Sequence, residues 1–286
     1  MSRYIRWVLA VATLLALTVP LAAAAGGGDG RTGNSSGVAS RVLYATDDAG
    51  NLLRFNAQSP RHVWSKQITG LPAGVVLGGI DFRPATGDLY ALGSDKVVYR
   101  VNLRTAIAVA EGPAFDSVPS ALNSANIGFD FNPTVDKIRV TSDADDNIRL
   151  NPDEGNLLSK DTNLTPADVS VVGSAYTNSS FAAFDARPTT TELYALDVAP
   201  SRDRLWIQRP ANAGTLINPV TLGVDLGVNA GFDIAGRANV GYVAGTQVGQ
   251  ENARLWQVDL ATGKTRSLGR IGKGAAITGL AAWQDQ

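Results

Sequence analysis

Short runs in which apolar and polar residues alternate follow one another from Val42 to Trp283, separated by clusters of Gly, Pro, Asn and Asp, and helical spacing is not evident in them. The alternation predicts β-strands throughout. One run, Gly79-Ile80-Asp81-Phe82, returns as Gly128-Phe129-Asp130-Phe131 and again as Gly231-Phe232-Asp233-Ile234, each time followed by further strand-like runs. A period of about fifty residues matches the four short strands of one propeller blade. In the first copy the pattern predicts strands at 79–82, 88–92, 97–103 and 106–110, with turn chemistry at Pro84-Ala85-Thr86-Gly87 and Gly93-Ser94-Asp95. The second copy repeats the plan at 128–132, 137–141 and 147–151, and the last at 231–235, 240–244, 254–260 and 265–269.

The two ends of the chain complete the count. Residues 277–283 look like a first strand with nothing after it, whereas 42–45 and 52–55 look like second and third strands with nothing before them. Joining them makes one composite blade and hides two sheet edges that would otherwise invite association. The prediction is an all-β fold, a β-propeller of five blades of four antiparallel strands, with the last blade closed by the N- and C-terminal strands. The third unit admits two registers. Phe184-Asp185-Ala186-Arg187-Pro188 matches Ile80-Asp81-Phe82-Arg83-Pro84 in spelling, but Gly173-Ser174-Ala175-Tyr176-Thr177-Asn178 has the better spacing from Gly128 and is preferred. Residues 179–190 then form an inserted loop before a strand at 192–197.

The first 25 residues follow a different pattern. Arg3 and Arg6 precede a short apolar run from Trp7 to Val19, and Ala22 to Ala25 offers small residues for cleavage, the order of a secretory signal peptide. The run is shorter than the ~20 residues a membrane helix needs, and no later stretch is long and apolar enough to span. Residues 26–40, rich in Gly and Ser, read as a flexible leader, and 41–286 as a single propeller domain. The expected location is the periplasm or the cell exterior, as a secreted monomer. With 25 basic and 26 acidic residues, the balance gives nucleic acid or an acidic membrane no electrostatic hold. The absence of cysteine excludes disulfides and thiolate metal sites.

Several of these segments together resemble one family. Gly128-Phe129-Asp130-Phe131-Asn132-Pro133, Asp136-Lys137-Ile138-Arg139-Val140, Asn147-Ile148-Arg149-Leu150-Asn151-Pro152, Ala175-Tyr176-Thr177-Asn178 and Gly223-Val224-Asp225 before Gly231 resemble the secreted bacterial domain of unknown function 4394. The resemblance covers nearly all of 41–283. It implies a secreted, propeller-like domain, and it carries over no catalytic residues.

Asp81, Asp130 and Asp233 recur at one position of the first strand, the strand that lines a propeller's central channel, and with Asn178 they are the candidate ligand-binding residues. A ring of carboxylates could hold a hard cation such as Ca²⁺, which takes about six to eight oxygens; otherwise no cofactor is expected. The competing role is structural, with each Asp accepting hydrogen bonds from neighbouring backbone groups. Recurrence in blade after blade favours structure, because a functional site usually needs one unusual blade. Asp143-Ala144-Asp145-Asp146-Asn147 with Glu154 echoes a calcium loop, but Ile148 stands where that loop needs Gly, so a solvated hairpin turn is expected.

Hydrolytic constellations find little material. His62 is the sole histidine, expected in an outer strand beside Arg61 and Trp64, which leaves no Ser-His-Asp triad and no multi-histidine metal site. None of Glu111, Glu154, Glu192 and Glu251 lies on a first strand, where a paired-carboxylate glycosidase would want its acid. Trp206 and Trp256, at matching third-strand positions, fit packing between blades better than sugar stacking. The chain therefore reads as a non-catalytic binding or scaffold propeller that recognises a protein or polysaccharide. The alternative is a metal-dependent hydrolase or lactonase-like enzyme using channel carboxylates.

Overall fold

The structure, a computed structural model, describes residues 41–115, 121–180, 186–200, 202–236 and 238–283. The expected signal at 1–25, the leader at 26–40, and Phe184 and Asp185 lie outside these residues. Among the described residues no helix is long and apolar enough to cross a membrane.

Among the described residues, twenty strands form five antiparallel sheets of four. The first blade orders β20 (Ile277–Ala282), β1 (Val42–Asp47), β2 (Asn51–Asn56) and β3 (Trp64–Gln67). The second runs β4 (Leu77–Phe82), β5 (Leu89–Gly93), β6 (Val98–Val101), β7 (Ala108–Ala110), and the third β8 (Ile127–Asn132), β9 (Lys137–Ser142), β10 (Asn147–Leu150), β11 (Leu157–Lys160). The fourth is β12 (Val171–Tyr176), β13 (Leu193–Asp197), β14 (Arg204–Gln208), β15 (Leu216–Thr221), and the fifth β16 (Leu226–Ala235), β17 (Val240–Gln247), β18 (Arg254–Val258), β19 (Thr265–Arg270).

Closure is as the sequence predicts: β20 pairs with β1, setting Leu43 opposite Ala282 and Ala45 opposite Leu280. Thr278 Oγ1 donates to Thr46 Oγ1 at 2.9 Å, joining residues 232 apart in sequence. The third unit takes the Gly173 register, with β12 ending at Tyr176. Expectation and structure part at strand ends. β6 stops at Val101 because Asn102 opens a tight turn, its Oδ1 accepting the N–H groups of Arg104 and Thr105. β16 begins at Leu226, before its repeated glycine.

The alternating pattern buries one side chain in two against the next blade, so the core is a set of interfaces between blades rather than a single nucleus. Leu43, Phe55, Tyr242 and Leu255 pack blade five on blade one; Tyr44, Ile80, Phe82 and Leu89 pack one on two; Tyr90, Phe129, Phe131 and Ile138 pack two on three; Leu196, Phe232, Val243 and Trp256 pack four on five. Between blades three and four the filling is different. Arg139 of β9, only 2 % exposed, donates to Asp161 Oδ2, Asn147 Oδ1 and Asn212 Oδ1 at 2.6–2.7 Å. Arg149 closes a second fork on Asp161 at 2.8 and 2.9 Å.

Candidate functional site

The five first strands, β4, β8, β12, β16 and β20, stand side by side around the axis. Each carries the repeated glycine, at 79, 128, 173, 231 and 279. A Cβ on Gly79 would lie 2.6 Å from Phe129 Cβ, and one on Gly231 would lie 2.7 Å from Leu280 Cβ, the residue after the glycine in the following blade. No side chain fits there. Glycine therefore recurs because adjacent first strands approach too closely for any other residue.

Two residues further on, Asp81, Asp130 and Asp233 serve that same contact. Asp81 accepts the N–H of Phe82 in its own blade at 2.7 Å and of Phe131 in the next at 2.8 Å. Asp130 accepts from Tyr176 of the next blade at 3.0 Å. Asp233 accepts from its own Ile234 at 2.6 Å and from Ala282 of the next blade at 2.5 Å. Blades four and one carry Ala175 and Ala281 at this position, and the N–H groups they leave unserved, on Ile234 and Phe82, are the two that Asp233 and Asp81 bind within their own blades. Three carboxylates thus satisfy five inner-strand N–H groups.

Their price is electrostatic. The three residues are 1–2 % exposed, and one oxygen of each lies within 4.8 Å of the others. Burial pushes all three carboxyls up, Asp233 to about 6 and the other two well above the ordinary carboxylate range, with repulsion from Asp233 adding at Asp81 and from Asp81 and Asp233 adding at Asp130. Five of the six oxygens already accept backbone donors. Each recurrent Asp therefore staples its blade to the next through backbone N–H groups.

Asn178 does not join them. It lies beyond the end of β12 with φ 60°, and the inner-strand position is held by Ala175 instead. Its N–H donates to Asn239 Oδ1 at 2.8 Å, its Oδ1 accepts from Asn239 Nδ2 at 3.0 Å, and its Nδ2 donates to Thr190 O at 3.0 Å, so it ties the loop after β12 to the β16–β17 turn. His62 sits in the turn before β3, not in the strand. Trp206 and Trp256 are buried, and Trp206 Nε1 donates to Asp197 Oδ2 at 2.9 Å.

A pocket of about 510 Å³ opens where the first strands begin. Its floor is the residue before the repeated glycine in every blade: Gly78, Ile127, Val172, Ala230 and Thr278. The staples lie three residues deeper, about 10 Å at the rise of a strand. One wall is the loop Leu122–Asn126, the opposite wall Val228 and Asn229, and Ser94 and Lys96 reach in from the β5–β6 turn. The polar groups of its described lining are hydroxyls, amides and one ammonium, with no carboxylate or imidazole among these described residues. The acid-rich turn after β9 holds the loop wall. Asp146, 1 % exposed, accepts from the N–H and side-chain amide of Asn123 at 2.6 and 2.5 Å, and Asp143 accepts from Asn126 Nδ2 at 2.8 Å. That turn is a hairpin as expected, but its Asp146 is buried rather than solvated.

The pocket was missed in the sequence, although aligning the five glycines places its floor. The Arg139–Asp161 network was missed as well, because a charged residue on an alternating strand reads as solvent-facing.

Solved structures align with the chain at low identity. An engineered GH43 glycoside hydrolase with endo-xylanase and exo-arabinofuranosidase activity aligns at TM-score 0.51 with 10 % identity, over 84 % of this chain and 53 % of that one. A protein from Lactobacillus plantarum aligns at 0.42 with 16 % identity, over 84 % and 71 %, and the Dos1 propeller at 0.39 with 13 %, over 77 % and 54 %. The present chain therefore spans little more than half of the hydrolase and of the Dos1 propeller, and the likeness concerns the fold alone. No curated protein matches it in sequence. The family described as "Domain of unknown function (DUF4394)" matches residues 51–281, from the second strand of the first blade into the strand that closes it, and the chain belongs to that family.

Proposed function

We propose that this protein is an exported, non-catalytic binding propeller that seats the end of a protein segment or polysaccharide in the pocket where its first strands begin. The observation that carries the reading is the lining: polar groups converge from different blades on an apolar floor, as in ligand sites generally, and no acid–base pair stands among the described lining residues. Export is supported by the order of charge, apolar run and small residues in 1–25. The decisive experiment is a glycan and peptide array probed with the protein and with Val228→Trp. Val228 is 46 % exposed on the pocket wall, so the larger ring obstructs the pocket without entering the core. Binding lost in the variant supports the reading, and binding unchanged overturns it.

The convergence of three carboxylates favours a second reading, a hydrolase or lactonase-like enzyme with Ca²⁺ or another divalent ion at Asp81, Asp130 and Asp233. Against it stand their burial below the pocket floor and the backbone donors they already satisfy. Glycoside, ester and lactone substrates offered with and without divalent ions separate the two. Turnover that needs the ion and is abolished by Asp130→Asn would establish the enzyme.

A further inference from the structure

At the opposite end of the blades, past the C-terminal end of β4, a groove of about 800 Å³ lies between blades one and two. Its floor is apolar, with Tyr44 from one blade and Leu89, Val101 and Leu103 from the other. Trp64 stands in its wall 40 % exposed, on β3, whose four residues are all exposed. An indole left open to water beside an apolar floor is the platform on which a sugar ring stacks.

The charged residues beside that indole on β2 and β3, Arg54 and Lys66, are both cations. Arg54 lies directly opposite Trp64 across the β2–β3 pair. Lys66, two residues beyond Trp64 on the same face of β3, extends to the carbonyl of Arg104 at 3.5 Å, and Arg104 itself lines the groove. None of these three cations is ion-paired with a carboxylate among the described residues, whereas Asp88, the acid of the lining, lies 3.7 Å from Arg100. Three unpaired cations around an open groove favour an anionic occupant.

We propose that this groove binds an acidic polysaccharide, with a uronate ring stacked on Trp64 and its carboxylate on Arg54, and with the next carboxylates meeting Lys66 and Arg104. The spacing suits a uronate. Residues opposite each other across an antiparallel pair have Cβ atoms about 5 Å apart, close to the offset between the face of a sugar ring and a carboxylate on its edge. An acidic peptide would satisfy the cations but would leave the indole without a flat partner. The groove is a separate surface from the pocket at the other end of the axis and does not depend on it.

The test is affinity electrophoresis of the purified protein through polygalacturonate, with dextran as the neutral glycan and poly-L-glutamate as the acidic peptide. The expected result is retardation by polygalacturonate alone, weakening as salt is raised, with an affinity at least tenfold lower in Trp64→Ala and in the Arg54→Gln/Arg104→Gln double variant. All of these side chains are exposed, and an unchanged thermal melt will show that each variant is folded. Three results would overturn the proposal: no retardation by polygalacturonate, retention of it in Trp64→Ala, or equal retardation by dextran. Equal or stronger retardation by poly-L-glutamate would reassign the groove to acidic peptides and overturn it too.

Discussion

At two of the places where the molecule buries aspartate it does so by opposite means. At the axis Asp81, Asp130 and Asp233 have no cation beside them; backbone N–H groups hold them, and burial drives their carboxyls up. Between blades three and four Asp161 is also buried, but hydrogen bonds from Arg149, Ser159 and Arg139 outweigh that burial and hold its carboxyl below the ordinary range. Blade two repeats the second arrangement, where Arg83 grips Asp136 and Asp153 at 2.6 Å. The difference lies in what each carboxylate replaces. On the axis the strands are too close for an arginine, and the groups in need are N–H donors. In the wider outer interface a guanidinium fits, and the groups in need are the charges themselves.

Removing the cation from the outer arrangement should have the largest effect. Arg139→Ala leaves Asn147 and Asn212 short of a donor and Asp161 with half its guanidinium partners. We expect a loss of about 3–5 kcal/mol, the cost of breaking a buried ion pair from one side, read from urea unfolding. A loss under ~1 kcal/mol would show that the network is solvated.

The axial arrangement should break in steps set by hydrogen bonds. Asp81→Ala strands two buried N–H groups and Asp130→Ala strands one, at about 1–3 kcal/mol each. The expected ratio of the two losses is therefore near two. Equal losses would mean that charge, not donor count, governs the axis.

A smaller effect separates the regions by pH. Asp233 has its carboxyl raised from 3.8 to about 6. Its contribution is complete below pH 3.8, where folded and unfolded chains are both protonated, and is lost as pH rises through about 6. Asp130, raised in the same direction, should behave alike. Asp161, held low, contributes above pH 3.8 and loses its contribution as the solution is acidified below that value. Melting curves from pH 3 to 7 should show Asp130→Asn gaining on the natural protein as pH rises. Asp161→Asn should gain on it as pH falls. Parallel curves would remove the electrostatic half of the comparison.

The least effect is expected from calcium. With five of six axial oxygens already accepting N–H donors, millimolar Ca²⁺ should leave the melting temperature unchanged, whereas a bound ion would raise it by mass action. A rise that disappears in Asp130→Asn would place an ion among the staples.

The blades were legible because their rules are local. Alternation and turn residues set the strands, and the recurring glycine, followed two residues on by Asp in three of the five blades, marks the close approach of first strands around the ring. The Gly173 register was legible for the same reason, although Arg187-Pro188 repeats the spelling of Arg83-Pro84. What stayed hidden depends on distant partners. Arg139 and Asn212 meet across 73 residues, and Arg83 and Asp136 across 53, with nothing in either segment announcing the other. Asn178 was drawn toward the axis by its strand, yet it stands three positions beyond Ala175, and its left-handed backbone turns it to Asn239. The short outer strands β3 and β11 hold four residues each and bury none of them, so they were the faintest.

The pairing of β20 with β1 also orders events in time. Until Ile277 to Ala282 has been made and has arrived, blade one is a three-stranded sheet with β1 as an open edge, and the Asp233 staple to Ala282 has no donor to hold. Every other blade can form from contiguous chain within a few dozen residues, but the ring is sealed by a contact spanning most of the sequence. Such distant closure is slow, because the entropy of bringing the ends together is lost before any contact rewards it. The protein should therefore pass through a horseshoe of four finished blades, at greatest risk of joining a second copy in the interval before its last strand docks.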